Sequence, residues 1–259
     1  MNLRAVARKV RGTEKKTAAL AEGRHVMLLM GSTGSGKTTQ VKNLVGEKIG
    51  QRIVEMPPKP PPEGLSEVNR CKWLARQATK RDVRYVLSVV GEDGSPHLKI
   101  GDTLDSCTTV VHAERLPAQC PPAGADDGWV GVDCVCDAPG AFDTRGAHAD
   151  VAAAIAICSV LRRCRSVRLM VLVKASHLTD RDSRLLDLLR QLSGFLGRDL
   201  EANLGAVLFL FSHPKNASHD EITDQVSAIL ESEAVQSDAR LQLIVTHMLN
   251  QLLEHDDTG

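Results

Sequence analysis

The sequence predicts an α/β protein with three layers built on a mainly parallel, doubly wound sheet. Short apolar runs of the kind that form buried strands recur between segments with helical periodicity. Two of the helical segments begin with capping-box signals, Thr179-x-x-Asp182 and Ser218-x-x-Glu221. The first strand-to-helix junction carries G-x-x-x-x-G-K-T, residues Gly31 to Thr38, directly after the apolar run Val26 to Met30. Strands alternating with helices imply a parallel sheet, with ligands at the carboxyl ends of its strands.

In chain order, residues 26–30 form the first strand, and 36–46 a helix with Val41, Leu44 and Val45 on its apolar side. An irregular region follows, and Met56 to Pro62 reads as exposed polyproline, because each Pro removes a donor and fixes φ. Val83, Tyr85, Leu87 and Val89 alternate with more polar neighbours and stop at the turn Gly91 to Gly94, the pattern of a strand. Further strands are expected over 108–113 and 129–136. A helix over 150–163 would turn Val151, Ala154, Ile155, Cys158 and Leu161 inward.

Residues 167–173 and 206–211 read as buried strands. Between them Leu185, Leu188, Leu189, Leu192, Phe195 and Leu196 repeat at helical spacing. The helix after Ser218 would bury Ile222, Val226, Ile229 and Leu230, and 241–253 forms a last helix. This organisation comprises a basic extension over 1–23, a main domain over 24–235 with an insertion near 50–95, and a C-terminal helix and tail over 236–259.

The residues of the Gly31–Thr38 loop fit one chemistry. Gly31, Gly34 and Gly36 admit backbone conformations closed to other residues, so that N–H groups, including those of Ser32, Thr33 and Ser35, converge on an anion. The start of the following helix, Lys37 to Thr39, adds unpaired donors and its dipole. Lys37 is placed to reach β- and γ-phosphate oxygens, and the Thr38 hydroxyl to ligate Mg²⁺. A nucleoside di- or triphosphate is the expected ligand.

Composition narrows the rest. Lys plus Arg equals Asp plus Glu at 32 each, so no global charge recommends nucleic acid as a partner. No apolar run approaches the ~20 residues of a membrane-spanning helix. Seven scattered cysteines without C-x-x-C pairs read as reduced thiols in a cytoplasmic protein. The N-terminal stretch, rich in Arg and Lys and free of acids through Thr13, fits either an organelle-targeting segment or a surface helix leading into the first strand.

A phosphate grip that acts as a switch needs an Asp at the end of a neighbouring strand and a Gly a few residues on. Asp137-Ala138-Pro139-Gly140 stands at such a place, with Asp137 as a Mg²⁺ ligand through water and Gly140 N–H facing the γ-phosphate. The segment from Asp137 through Phe142-Asp143-Thr144-Arg145 to Gly146, with Asp150 beyond, resembles the D-x-P-G-F-x-D-x-R-G segment of the GIMAP-like and septin-related GTPases, of the P-loop, G-domain-like type, including related domains of large protist proteins. The likeness runs from about Arg24 to Leu230 and includes Ser106-Cys107-Thr108-Thr109, similar to that family's S-C-T switch segment.

The resemblance implies GTP and Mg²⁺ as ligands, Thr108 (or Thr109 by a slip of one residue) as a further Mg²⁺ ligand, slow hydrolysis to GDP and phosphate, and a nucleotide-dependent homodimer. The long stretch between Lys37 and Thr108 is what implies the insertion. Two features depart from the pattern. The segment Ser212-His213-Pro214-Lys215-Asn216 lacks the Asp that reads guanine, which keeps ATP as the alternative nucleotide, while Ser212-His213 resembles the T-H pair of the chloroplast import-receptor GTPases, a resemblance that implies His213 as a base contact. Ala141 stands where a water-orienting Gln is usual, which leaves Arg145 to supply transition-state charge. The open alternatives are an ATP-using ATPase or kinase and a nucleotide-bound interaction module that does not hydrolyse.

Overall fold

Side-chain alternation along the central strands divides the apolar residues between two faces of one sheet. The computed structural model describes residues 17–46, 49–55, 83–90, 96–99, 111–117, 131–138, 154–155, 157–179, 184–212 and 217–256. The chain divides into two compact units, one of Met1–Gly46 with Thr103–Gly259 and one of Glu47–Asp102. In chain order the principal elements are β1 (His25–Gly31), α1 (Lys37–Leu44), β2 (Ile49–Glu55), β3 (Val83–Val90), β4 (Pro96–Lys99), β5 (His112–Arg115), β6 (Cys134–Asp137) and β7 (Ser166–Lys174), then α2 (Arg184–Leu196), β8 (Val207–Ser212), α3 (His219–Leu230) and α4 (Ala239–Asp256).

The larger unit holds a five-stranded sheet in the order β5-β6-β1-β7-β8. Pairs β1–β6, β1–β7 and β7–β8 are parallel, and β5 joins antiparallel at the edge. This is an α/β architecture with a mostly parallel sheet. Val26, Leu28, Leu169, Val171, Val173, Cys134 and Cys136 point to one face, where they pack with α2, α3 and α4. Leu29, Met170, Leu172 and Val135 point to the other, against Val41 of α1. Period-two burial on both faces is what a strand covered on two sides produces.

Most elements follow the sequence pattern. Leu185, Leu188, Leu189 and Leu192 of α2 are buried, and Ile222 and Val226 anchor α3. Ser218 forms its capping box, its Oγ accepting from Glu221 N at 3.1 Å while Glu221 Oε2 accepts from Ser218 N at 2.9 Å. Helix α4 is part of the core through Leu241, Ile244, Val245 and Met248, all buried. The end of the basic stretch, residues 17–21, is helical, with Ala18 and Ala21 buried and Thr17 Oγ1 donating to Val111 O at 2.9 Å.

Several elements differ from expectation. The helical residues 154–155 and 157–161 expose Ala154, Ile155 and Cys158, and bury Val160 instead. That segment is apolar almost all round, so a stripe through Ile157, Val160 and Leu161 competes with the expected one, and packing against the core selects it. The strand expected over 129–136 is Cys134–Asp137. Asp133 is exposed, its carboxylate accepting from His25 N at 2.7 Å, so it closes the entry to the strand. Described pairing of the strand expected over 108–113 covers His112–Arg115.

The stretch after α1, read as irregular, contains β2, which pairs antiparallel with β3, while β3 pairs antiparallel with β4. Alternation in β3 was legible, but Gly50 and the mixed polarity of β2 hide its period. The polyproline segment, the turn after Val90 and Asp182 of the first capping box lie outside the described residues.

One side chain fastens α4 to α2. Arg240 Nε donates to Ser193 Oγ and Nη2 to Ser193 O, both at 2.7 Å, and Nη2 also donates to Gly197 O. The guanidinium thereby takes the carbonyl of Ser193 in the last turn of α2 and that of Gly197 just past its end. Arg240→Ala is expected to lower unfolding free energy by roughly 1–3 kcal/mol in urea melts, with Arg240→Lys recovering only part.

Candidate functional site

The loop between β1 and α1 is shaped by a lack of room. In-register pairing of β1 and β7 continues to Gly31 opposite Leu172. A Cβ on Gly31 would lie 2.6 Å from Leu172 O and 2.7 Å from Ser35 Oγ. Only glycine fits, and Gly34 (φ 78°) and Gly36 (φ 89°) supply the left-handed turns that bring the chain back to start α1. That start has neither a side-chain cap nor an acidic residue in its first turn. Its dipole therefore meets no carboxylate of its own first turn.

Folding back buries Lys37, whose ammonium donates to Gly31 O and Ser32 O at 2.9 Å each. Thr38 Oγ1 donates to Asp137 Oδ2 at 2.7 Å across 99 residues of sequence. Asp137 is the last residue of β6, paired with Leu29 of β1, and only 4% exposed. Loop, lysine and carboxylate thus meet at the carboxyl ends of β1 and β6. Thr39 continues α1 one residue further on.

The hydroxyls of Ser32, Thr33 and Ser35 are buried and find no hydrogen-bond partner among the described residues. A buried polar group left unsatisfied costs about 1–3 kcal/mol. Three in one loop, beside a buried ammonium, fit an anion with several acceptor oxygens: the hydroxyls and Lys37 can all donate to it. Thr38 and Asp137 together offer oxygen donors of the kind a hard divalent cation takes. Among the described residues no group of three or more His, Cys, Asp or Glu side chains could hold a metal by itself.

Other expected site residues, Thr108, Thr109, Gly140, Ala141, Arg145 and His213, lie outside the described residues. Ser212 ends β8, and its hydroxyl is likewise buried without a partner among the described residues.

The structure adds a cluster the sequence did not signal. Lys42 Nζ of α1 donates to Glu114 Oε1 of β5 at 2.6 Å, and His112 Nε2 lies 3.5 Å from the same oxygen. His112 in turn faces Asp137 in the β5–β6 ladder. Hydrogen bonding to His112, then to Lys42, holds the Glu114 carboxyl down to about 2, and the Glu114 carboxylate raises the His112 imidazole. Lys42 and Glu114 lie far apart in sequence, so no spacing announces the pair.

Cys134, Cys136, Cys158 and Cys164 are free thiols, and the hydrogen bond that the Cys136 thiol shares with Cys134 as donor, and then burial, push the Cys136 thiol up. No described helix is long and apolar enough to cross a membrane. No family model matches this chain, and no curated protein matches it.

The Glu114 cluster makes stability depend on acid. Its folded carboxyl titrates below the ordinary value of 4.5, so its contribution is complete above that pH while His112 stays protonated and is lost as pH falls from 4.5 toward about 2; the share owed to His112 is lost as pH rises through that imidazole's raised range. The stability gap between the unaltered chain and Glu114→Gln, read from chemical melts, is expected to close over that interval. A second substitution, Gly31→Ala, is expected to lower stability by more than ~1 kcal/mol through its forced clash with the Leu172 carbonyl.

Proposed function

We propose that this chain is a nucleotide-dependent switch on a doubly wound P-loop fold of the GIMAP-like and septin-related type, binding GTP with Mg²⁺ and hydrolysing it slowly. The observation that carries the reading is the juxtaposition at the ends of β1 and β6: three hydroxyls with no partner among the described residues, a buried Lys37, and Thr38 bonded to Asp137. A glycine-rich turn alone would need none of these.

Each residue then has a task. Lys37 exchanges the Gly31 and Ser32 carbonyls for phosphate oxygens, and Ser32, Thr33 and Ser35 donate to the same polyanion together with backbone N–H groups of the loop. Thr38 and Asp137 hold the cation, Thr38 by its hydroxyl and Asp137 through water. When bound, Mg²⁺ supplies positive charge that screens the phosphates and polarises the bond to be cut. On the family resemblance Thr108 or Thr109 adds a cation ligand, Gly140 senses the γ-phosphate, and Arg145 offers charge to the transition state. Ala141 has no group with which to orient water, hence the low expected rate.

His213 stands in the frame where the base would be read, yet Ser212 to Asn216 hold no carboxylate for guanine's paired donors. That absence is the observation favouring a second reading, an ATP-binding ATPase or kinase.

Titration of the purified chain with fluorescent GTP and ATP analogues, with and without Mg²⁺, followed by phosphate-release assays across protein concentration, separates these readings. The expected result is preference for GTP, dependence on Mg²⁺ and slow release that rises with dimer formation. Equal affinity for both nucleotides rejects the guanine assignment, and tight binding without release at any concentration favours a non-hydrolysing module. Lys37→Ala is expected to weaken binding roughly 10- to 150-fold, equivalent to about 1.5–3 kcal/mol for charged hydrogen bonds. Unchanged affinity in that variant rejects the loop as the site.

A further inference from the structure

Strand β8 stands at the end of the sheet order, and its sequence is Val207-Leu208-Phe209-Leu210-Phe211-Ser212. It carries no charge, proline or glycine, and Leu208 is 46% exposed. Uncharged apolar edges of this kind template pairing with another strand, and proteins usually blunt them with Lys, Pro or a bulge. None of those devices is present in β8. The edge is met instead by a side chain of α4.

Gln251 Nε2 donates to Val207 O at 2.6 Å, and Gln251 Oε1 accepts from Phe209 N at 3.0 Å. A carbonyl and an N–H two residues apart are the groups that one residue of a parallel neighbouring strand would bond. The carboxamide of Gln251 has the same donor and acceptor as a peptide group and takes both. His247, one helical turn earlier, lies with Nε2 3.2 Å from Val207 O and its ring edge-on to Phe209 at 6.4 Å. Helix α4 thus covers the start of the β8 edge with a peptide mimic and an aromatic wall.

We propose that Gln251 is an edge seal: its amide takes the place of a sixth strand and keeps β8 from pairing with β8 of a second copy of this chain. A second copy is the occupant the strand itself favours, because two identical uncharged strands can pair antiparallel about a two-fold axis, residue i of one meeting residue j of the other and j meeting i. The seal works by occupancy, since backbone groups already bonded to Gln251 offer an incoming strand nothing until α4 moves away. The inference is independent of any nucleotide.

Gln251→Leu keeps a helix-forming side chain of similar size and removes only the amide. Hydrogen exchange resolved by residue, paired with light scattering after size exclusion, reads the result. The expected outcome is Phe209 amide exchange at least ~10-fold faster while Val171 at the sheet centre keeps its protection, together with a shift of mass into dimers and larger species. Adding Leu208→Lys to that variant is expected to return the size distribution to that of the unaltered chain, with Phe209 exchange still fast. Unchanged Phe209 exchange overturns the seal, and so does faster exchange with an unchanged size distribution, which reduces Gln251 to a local tether. If Val171 loses protection equally, the chain has unfolded globally and the same readings are taken on Gln251→Ala, which introduces no new bulk.

Discussion

The absence of a Cβ at Gly31 is the constraint on which the candidate site depends. A methyl there would collide with the Leu172 carbonyl and the Ser35 hydroxyl together, and the backbone carbonyl cannot yield without breaking the β1–β7 register. With glycine in place, β1 stays paired to its last residue and the chain still reverses within the next five. That reversal carries Lys37 back onto Gly31 and Ser32 and puts Thr38 in reach of Asp137. The site follows from where the sheet ends and from how sharply the chain must leave it.

Two lysines of α1, Lys37 at its first residue and Lys42 in its last turn, show how local partners divide similar groups between roles. Lys42 meets the carboxylate of Glu114, a full charge held far into its ionised range. That pair ties α1 to β5 and is spent on structure. Lys37 donates to the carbonyl dipoles of Gly31 and Ser32 at 2.9 Å, which hold its ammonium over the loop. An arriving polyanion competes with dipoles far more easily than with a carboxylate, because the charge–charge term outweighs the charge–dipole term at equal distance. On the proposed reading, phosphate oxygens take the place of the Gly31 and Ser32 carbonyls on Lys37, and the Lys42–Glu114 bond holds the helix that carries it.

The fold was legible where a segment's chemistry admits one solution. Leucines at helical spacing in α2, the capping box before α3, and the apolar runs of β7 and β8 each have one sensible burial. The helix leading to Val160 did not, because apolar residues nearly encircle it and the choice of face belongs to the core it meets. Strand β2 was hidden by Gly50, whose lack of a side chain breaks the alternation that marked β3. At the site, the loop and Asp137 were readable from spacing and position. The Lys42–Glu114 bond was not, since it joins elements that only the sheet order brings together, and Ser212 shows its buried hydroxyl only in three dimensions.

The residues that make β8 easy to recognise also make its edge hazardous. A run of Val, Leu and Phe declares a strand because it has no partner preference except burial and backbone bonding, and those preferences do not distinguish the same chain from another copy. Specificity has to come from outside the strand. Helix α4 supplies it at one point with Gln251, and the same helix supplies core contacts through Leu241, Ile244 and Met248 and the Arg240 clamp on α2. Coupling the seal to those anchors matters energetically: the two amide bonds, worth about 0.5–1.5 kcal/mol each, would fray on a free tail. Carried on a helix held in the core, the amide is kept beside the edge by those anchors.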